Sequence, residues 1–267
     1  MITPLARLAF ILEHDGGPYL AQGATIQSEV EAAAARLGAP ECDFRASGRT
    51  DTGVHARGQV IALRLPAHVA AKHPLAALNW HLPDSIRARR VAPVDEAFDP
   101  RRDAIRRAYR YALCAGQVFP PLLAGRMGRV KATLDAGLMG EAAALLRGRH
   151  DFRAWRSAQC QGQRTVLEIE RLDVAPWPDP AAHGADTQLF TIDVECRSFL
   201  HNMVRYLVGG LVAVGSGKAS PRELAEALAT PGRLPPGVAP VEACGLSLER
   251  VDYPPEKDPF RRPAAAG

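Results

Sequence analysis

The apolar residues change their period repeatedly along the first part of the chain, and the order of those changes restricts the fold more than any other feature. Leu5 to Glu13 is a largely apolar run that reads as a buried strand. From Thr25 onward the apolar positions Ile26, Val30, Ala33, Ala34 and Leu37 fall on one face of a helix, with Thr25 as N-cap and Gly38 just past the end. Cys42, Phe44 and Ala46 alternate with polar neighbours as a strand does, and Val60 to Leu65 is the next strand. Pro74 opens a short helix through Trp80, and Ile86 to Ala92 closes the set as a fourth strand. The order is β-α-β-β-α-β.

The second half repeats the order without repeating the residues. Ile105 to Leu113 reads as a strand with Tyr109, Tyr111 and Leu113 on one face, and Asp135 to Arg147 as a helix ending at Gly148. Val166 to Trp177 and Thr187 to Arg197 are strands joined by a Pro/Asp/Gly-rich loop. Leu200, Met203, Val204, Leu207, Val208 and Leu211 mark a strongly apolar helix. Ser220-Pro221-Arg222-Glu223 is a capping box that starts another helix. Gly245 to Tyr253 is a closing strand, followed by a Pro-rich tail expected to be loose. The expected fold is α+β, with two ferredoxin-like halves of mainly antiparallel sheet. Residues 1–104 form the first domain, 105–253 the second and 254–267 the tail.

A 267-residue chain with 47% hydrophobic and 23% charged residues has the balance of a globular protein, which excludes a disordered, collagen-like or disulfide-framework chain. The net charge of +4 permits an anionic partner without demanding one. The basic residues are mostly arginine, either a compositional bias or a provision for phosphate and base contacts. Five widely spaced cysteines form no CxxC pair, which argues against zinc and disulfides and for a reducing cytoplasm. Met1 to Phe10 lacks the pattern of a signal peptide, and the apolar stretch from Tyr206 to Gly217 is shorter than a membrane span.

The densest polar segment is Ser47-Gly48-Arg49-Thr50-Asp51-Thr52-Gly53-Val54-His55-Ala56, within a glycine-rich loop running to Gly58. It joins two strands, so the loop tip is displayed between fixed ends. One reading is a long hairpin loop in which Asp51 bonds nearby backbone amides; the other is a site built around Asp51.

This stretch resembles the signature of the tRNA pseudouridine synthase A family, a Gly-Arg-Thr-Asp-x-Gly-Val-His core, here Gly48 to His55 with Gly58-Gln59-Val60 following. Other segments agree in order: Phe98-x-x-Arg101, Arg107-Ala108-Tyr109-Arg110-Tyr111, His150-Asp151-Phe152, Gln159-Cys160, Arg164-Thr165, Phe199 to Arg205, Gly209, Gly245-Leu246 and Val251 to Pro254. The resemblance covers roughly Leu8 to Pro254. It implies an isomerase that converts uridine to pseudouridine at positions 38 to 40 of the tRNA anticodon arm, acting as a homodimer without cofactor or metal, with a basic RNA-binding cleft flanked by the two sheets. Asp51 corresponds to the essential aspartate, attacking C1′ or removing the C2′ proton. Arg49 would hold the flipped-out state, Tyr109 would stack on the uracil and serve its C5 proton, Arg205 would pair with the aspartate, and Leu246 would wall the pocket.

Each residue also has a plainer reading. Tyr109 could be an ordinary strand aromatic, Arg205 a snorkelling helix residue and Leu246 core. Arg101, Arg102, Arg106, Arg107 and Arg110 form either a solvated edge strand or a phosphate track, with Arg101 and Arg107 the substrate contacts. His55 reads as a loop-structuring residue rather than a metal ligand, and Trp80, Trp155 and Trp177 as packing residues. The segment from Glu13 to Gly23 departs from the family pattern: its Trp-containing stretch is missing and the loop is shorter. Asp99-Pro100 also replaces a commoner His-Ala. The alternative functions are a non-catalytic tRNA-binding relative and, last, a glycosidase, which would need a second carboxylate beside Asp51.

Overall fold

The computed structural model describes residues 4–19, 23–160, 162–177, 187–230 and 232–261. The loop expected between the strands at 166 and 187, positions 20–22 of the shortened first loop and the end of the Pro-rich tail lie outside the described residues. The chain divides into two compact units: Met1–Ile105 with Leu248–Gly267, and Arg106–Ser247. The last strand straddles the division, so the chain returns to its first unit before it ends.

In the first unit, β1 (Leu5–His14), α1 (Ile26–Arg36), β2 (Arg45–Ala46), β3 (His55–Pro66), α2 (Ala67–Ala70), α3 (Pro74–His81) and β4 (Ile86–Pro93) follow in order. The strands lie β4-β1-β3, antiparallel, with Phe10 opposite both Ile61 and Val91. β2 pairs with β3, and β10 (Leu246–Asp252) also lies beside β3. Alternate residues Leu8, Phe10 and Leu12 with Ile61, Leu63 and Leu65 bury one face against Val30, Ala33 and Ala34 of α1 and Leu78 of α3. The α1 start is a capping box in which Thr25 and Ser28 bond each other's backbone amides.

Three expectations need correction here. The strand expected over Cys42 to Ala46 is reduced to two residues, because Asp43 takes a left-handed φ of +45° that interrupts the ladder. β3 starts at His55, earlier than Val60, so the displayed loop is shorter. Trp80 is not a packing residue: it is 85% exposed on α3, whereas Trp155 is buried and Trp177 packs against Cys114, Met127 and Leu189.

The tail is docked through Phe260, whose ring lies under the Arg90 guanidinium at 5.2 Å and whose carbonyl accepts from Arg90 at 2.7 Å. Lys257 also reaches Asp103 at 2.5 Å.

The second unit contains β5 (Arg106–Gly116), β6 (Gly128–Val130), α4 (Ala136–Leu146), β7 (Gly148–Asp151), β8 (Val166–Pro176), β9 (Thr187–Cys196), α5 (Met203–Gly215) and α6 (Pro221–Ala229). Its strands run β5-β9-β8-β7, antiparallel, with short β6 parallel to β5. α5 is buried along most of its length, as its apolar sequence requires. Ser220 and Glu223 close the capping box of α6. Among the described residues, no helix is long and apolar enough to cross a membrane.

Arg7 is 3% exposed near the start of β1, and its Nη1 meets Asp43 Oδ2 at 2.6 Å. Burial works against the Asp43 charge, but Arg7 and Arg45 outweigh it and hold the carboxyl below its usual range. Removing Asp43 strands a buried cation, so Asp43→Ala is expected to destabilise the fold by about 3 kcal/mol, while Arg7→Met, which removes the charge itself, costs less than half of that. Urea unfolding of the two variants checks the ordering.

His14, also 3% exposed, ends β1 opposite Ala56. Burial, then the neighbouring His55, lower its pKa from 6.5 to about 4. On acidification the unfolded chain takes up this proton first, so the His14 contribution is complete above about pH 6.5 and is lost as the pH falls toward 4. The loss amounts to about 3 kcal/mol. Stability curves of wild type and His14→Leu should therefore converge or cross between pH 6.5 and 4; parallel curves would contradict the assignment.

Candidate active site

The displayed loop spans residues 47–54 and is tied at its neck before the chain turns. The Ser47 amide donates to the Val60 carbonyl at 2.8 Å, and the Val60 amide donates back to Ser47 Oγ at 3.2 Å. Gln59 Nε2 donates to the Gly48 carbonyl at 2.9 Å. Ser47 and Gln59 are both buried, so these bonds are shielded from water. The tip is a turn closed by the Val54 amide on the Asp51 carbonyl at 3.0 Å, with Gly53 at φ +83°. Asp51 is half-buried and Arg49 exposed. A carboxylate so placed remains open to solvent on one side while the backbone fixes its position.

His55, expected within the loop, is instead the buried first residue of β3. The Gly16 amide and Asp15 Oδ1 each lie 3.1 Å from its Nδ1. One nitrogen cannot accept from the amide and donate to the carboxylate at once, so the two contacts belong to alternative protonation states. Either way the imidazole joins the turn after β1 to the root of the loop.

Tyr109 is half-buried on β5, and its ring meets Phe199 edge to face, centroids 5.2 Å apart at 88°. Arg205 stands in the first turn of α5. Its Nε donates to the Val241 carbonyl at 2.7 Å and its Nη1 to Asn202 Oδ1 at 2.9 Å. Leu246 opens β10 and is 5% exposed.

The arginine run does not behave as one group. Arg101 and Arg102 are exposed in a turn ahead of β5, where Asp99 Oδ1 accepts both their amides at 2.9 Å. The Asp-Pro that departs from the family pattern thus builds the turn presenting Arg101. Arg107 is 9% exposed, with Nη1 on the Arg197 carbonyl at 2.6 Å. Arg110 forms a two-pronged bond to Asp193, at 2.7 and 2.9 Å, and Arg106 pairs with Glu170 and Glu195. β5 is also flanked by β9 and β6, so it is not a solvated edge strand.

The expected site residues divide between the units. Arg49, Asp51 and Arg101 stand on the first; Arg107, Tyr109, Arg205 and Leu246 stand on the second. Arg49 and Asp51 share one loop, and Arg107 and Tyr109 share one strand. Sequence reasoning missed Phe199, Asn202 and Gln59 as supports, although all three lie inside segments that carry the resemblance. The Val241 carbonyl has no residue-type signature and could not have been found that way.

Residues 142–254 match a family described as tRNA pseudouridine synthase. Curated relatives extend over nearly the whole chain. The tRNA pseudouridine synthase A of Acidiphilium cryptum is 41% identical, covering 97% of this chain and 100% of that protein. Those of Methylocella silvestris and Geobacter sulfurreducens are 37% and 36% identical, covering 93% and 92% of this chain and 99% of each relative. A solved Cbf5-Nop10-Gar1 complex aligns with a TM-score of 0.38 at 11% identity, over 91% of this chain and 49% of that one. These relatives are 36–41% identical and each is matched over more than nine-tenths of this chain, and the chain belongs to the tRNA pseudouridine synthase A family.

Proposed function

We propose that the chain isomerises uridine to pseudouridine in the anticodon arm of tRNA, at positions 38 to 40, with Asp51 as the group that acts on the ribose. The reaction breaks the N1–C1′ bond, turns the uracil and rejoins it through C5. Every atom is retained and no electrons enter or leave, so the chemistry needs no redox cofactor. The task left to the protein is to stabilise a sugar that has lost its base. A carboxylate does this by attacking C1′ or by removing the C2′ proton.

The observation that carries this reading is the Asp51 turn: a half-buried carboxylate on a loop whose neck is pinned by buried Ser47 and Gln59. Arg49, exposed two residues earlier, enters the helix where the uridine has left it; unstacking costs a few kcal/mol, which such contacts offset. Tyr109, its ring plane set by Phe199, stacks on the extruded uracil and serves the C5 proton. Arg205 pairs with Asp51, and Leu246 supplies an apolar wall. Arg101 meets phosphate on the exposed turn. Arg107 is assigned a phosphate as well, although its bond to the Arg197 carbonyl already gives it one duty. Two ferredoxin-like halves flanking a basic cleft, and a homodimer in which one tRNA touches both subunits, complete the proposal.

Asp51→Asn is expected to fold and bind tRNA while losing at least about 10³-fold in rate. Mass-spectrometric mapping of pseudouridine in an unmodified tRNA transcript reads the outcome site by site. Substantial product from Asp51→Asn would refute the role of that carboxylate. Salt-dependent binding by the wild-type chain with no product at any position would favour the non-catalytic relative.

A further inference from the structure

We infer that Tyr111 is a positioning residue for Arg205, acting through the backbone of residues 239–242. The inference rests on the reading that Arg205 serves the reaction. Tyr111 is fully buried on β5, two residues beyond Tyr109. Its hydroxyl donates to the Glu242 carbonyl at 2.9 Å. Burial pushes the phenol pKa far up, so it stays a donor throughout the working pH range.

The residue before Glu242 grips Arg205 twice. The Val241 carbonyl accepts Arg205 Nε at 2.7 Å, and the Val241 amide donates to the Arg205 carbonyl at 3.2 Å. The segment is also pressed onto α5 one turn later. A Cβ at Gly209 would fall 1.8 Å from the Ala239 carbonyl oxygen, so only glycine admits this approach. Glu242 is held from a third side, its Oε2 accepting the Arg129 amide at 3.2 Å.

The segment is therefore a splint laid along the start of α5 and fastened to β5 by Tyr111. An arginine side chain has many rotamers of similar energy, and a guanidinium meant to face one carboxylate works best with those rotamers reduced. Asn202 fixes Nη1 and Val241 fixes Nε, and the location of Val241 depends on Tyr111. A buried phenol commonly finds some partner for its hydroxyl, so the contact alone would be ordinary. The chain of contacts is not: it leads from Tyr111 in two residues to the atom that aims Arg205.

The test uses the full chain and an unmodified tRNA transcript. Tyr111→Phe keeps the ring and removes the one hydrogen bond. It is expected to fold, to lower kcat about tenfold and to leave KM within about twofold. Gly209→Ala, which displaces the other end of the splint, should move kcat in the same direction. In an Arg205→Lys background, Tyr111→Phe should have almost no further effect, since the group it positions is gone. An unchanged kcat in Tyr111→Phe, an equal tenfold fall in both backgrounds, or failure of Tyr111→Phe to fold would each overturn the inference. If Arg205→Lys alone keeps full kcat, the role of Arg205 falls and the inference with it. If Arg205→Lys is impaired while Tyr111→Phe is not, the inference fails by itself.

Discussion

The pairing of Ser47 with Val60 is the constraint on which the rest depends. A loop carrying arginine, aspartate and two threonines has Val54 as its one large apolar side chain, too little to hold itself. It is held because its neck belongs to a sheet. β3 is one of the longest strands, most of its residues are buried, and Val60 sits in its interior rather than at its frayed end. Two bonds at that point, one between backbones and one to the Ser47 hydroxyl, with Gln59 bonded to Gly48 just above, carry the rigidity of the sheet into the first residues of the loop. The functional groups then need only short distances from fixed atoms. Had β3 begun at Val60, the loop would have been several residues longer and Asp51 would have ridden on a far softer lever.

The arginines make a complementary point about charge. Basic residues exceed acidic ones by four, 33 against 29, yet many arginines of the second unit are already committed. Arg106, Arg110 and Arg171 share Glu170, Asp173, Asp193 and Glu195 across neighbouring strands. Such exposed pairs add little stability each, but they bind the guanidinium groups to the sheet face and lower the local potential. A count of arginines along the sequence therefore overstates what is available to an anion. Arg49 and Arg101, both exposed on turns, are separated in sequence and gain nothing from belonging to a run.

Much of this was legible in the residues, and the limits have physical causes. Helix starts were readable because capping is local chemistry: Thr25 and Ser220 each bond an amide three residues on. Strands with buried alternation were readable for the same reason. The short β2 was not, because its interruption lies in the φ angle of Asp43, which the apolar pattern does not record. Trp80 was misjudged because aromatic residues are usually buried, and exposure is a property of the finished surface. In the site, Asp51 and Arg205 could be named from sequence by resemblance, but their supports could not. Gln59 acts by bonding a carbonyl, Val241 by offering one, and Phe199 by the angle of a ring; none of these depends on residue type alone.

The departure at the first loop now reads differently. The family pattern has an Asp-Gly after the first strand and a Trp-containing stretch beyond it; this chain keeps Asp15-Gly16 and lacks the Trp-containing stretch, and the residues it keeps are not idle. The Gly16 amide bonds His55 at the root of β3, and a Cβ at Gly16 would lie 2.2 Å from the Val54 carbonyl oxygen. The turn is thus packed against the last residues of the displayed loop, with Tyr19 anchored to Ser85 Oγ at 2.8 Å behind it. The Asp15-Gly16 turn adds a third fastening to the loop that bears Asp51, beside Ser47 and Gln59. This turn supplies stiffness next to Asp51, and in the reaction proposed for that carboxylate, which turns on its placement, stiffness is the property the chemistry uses.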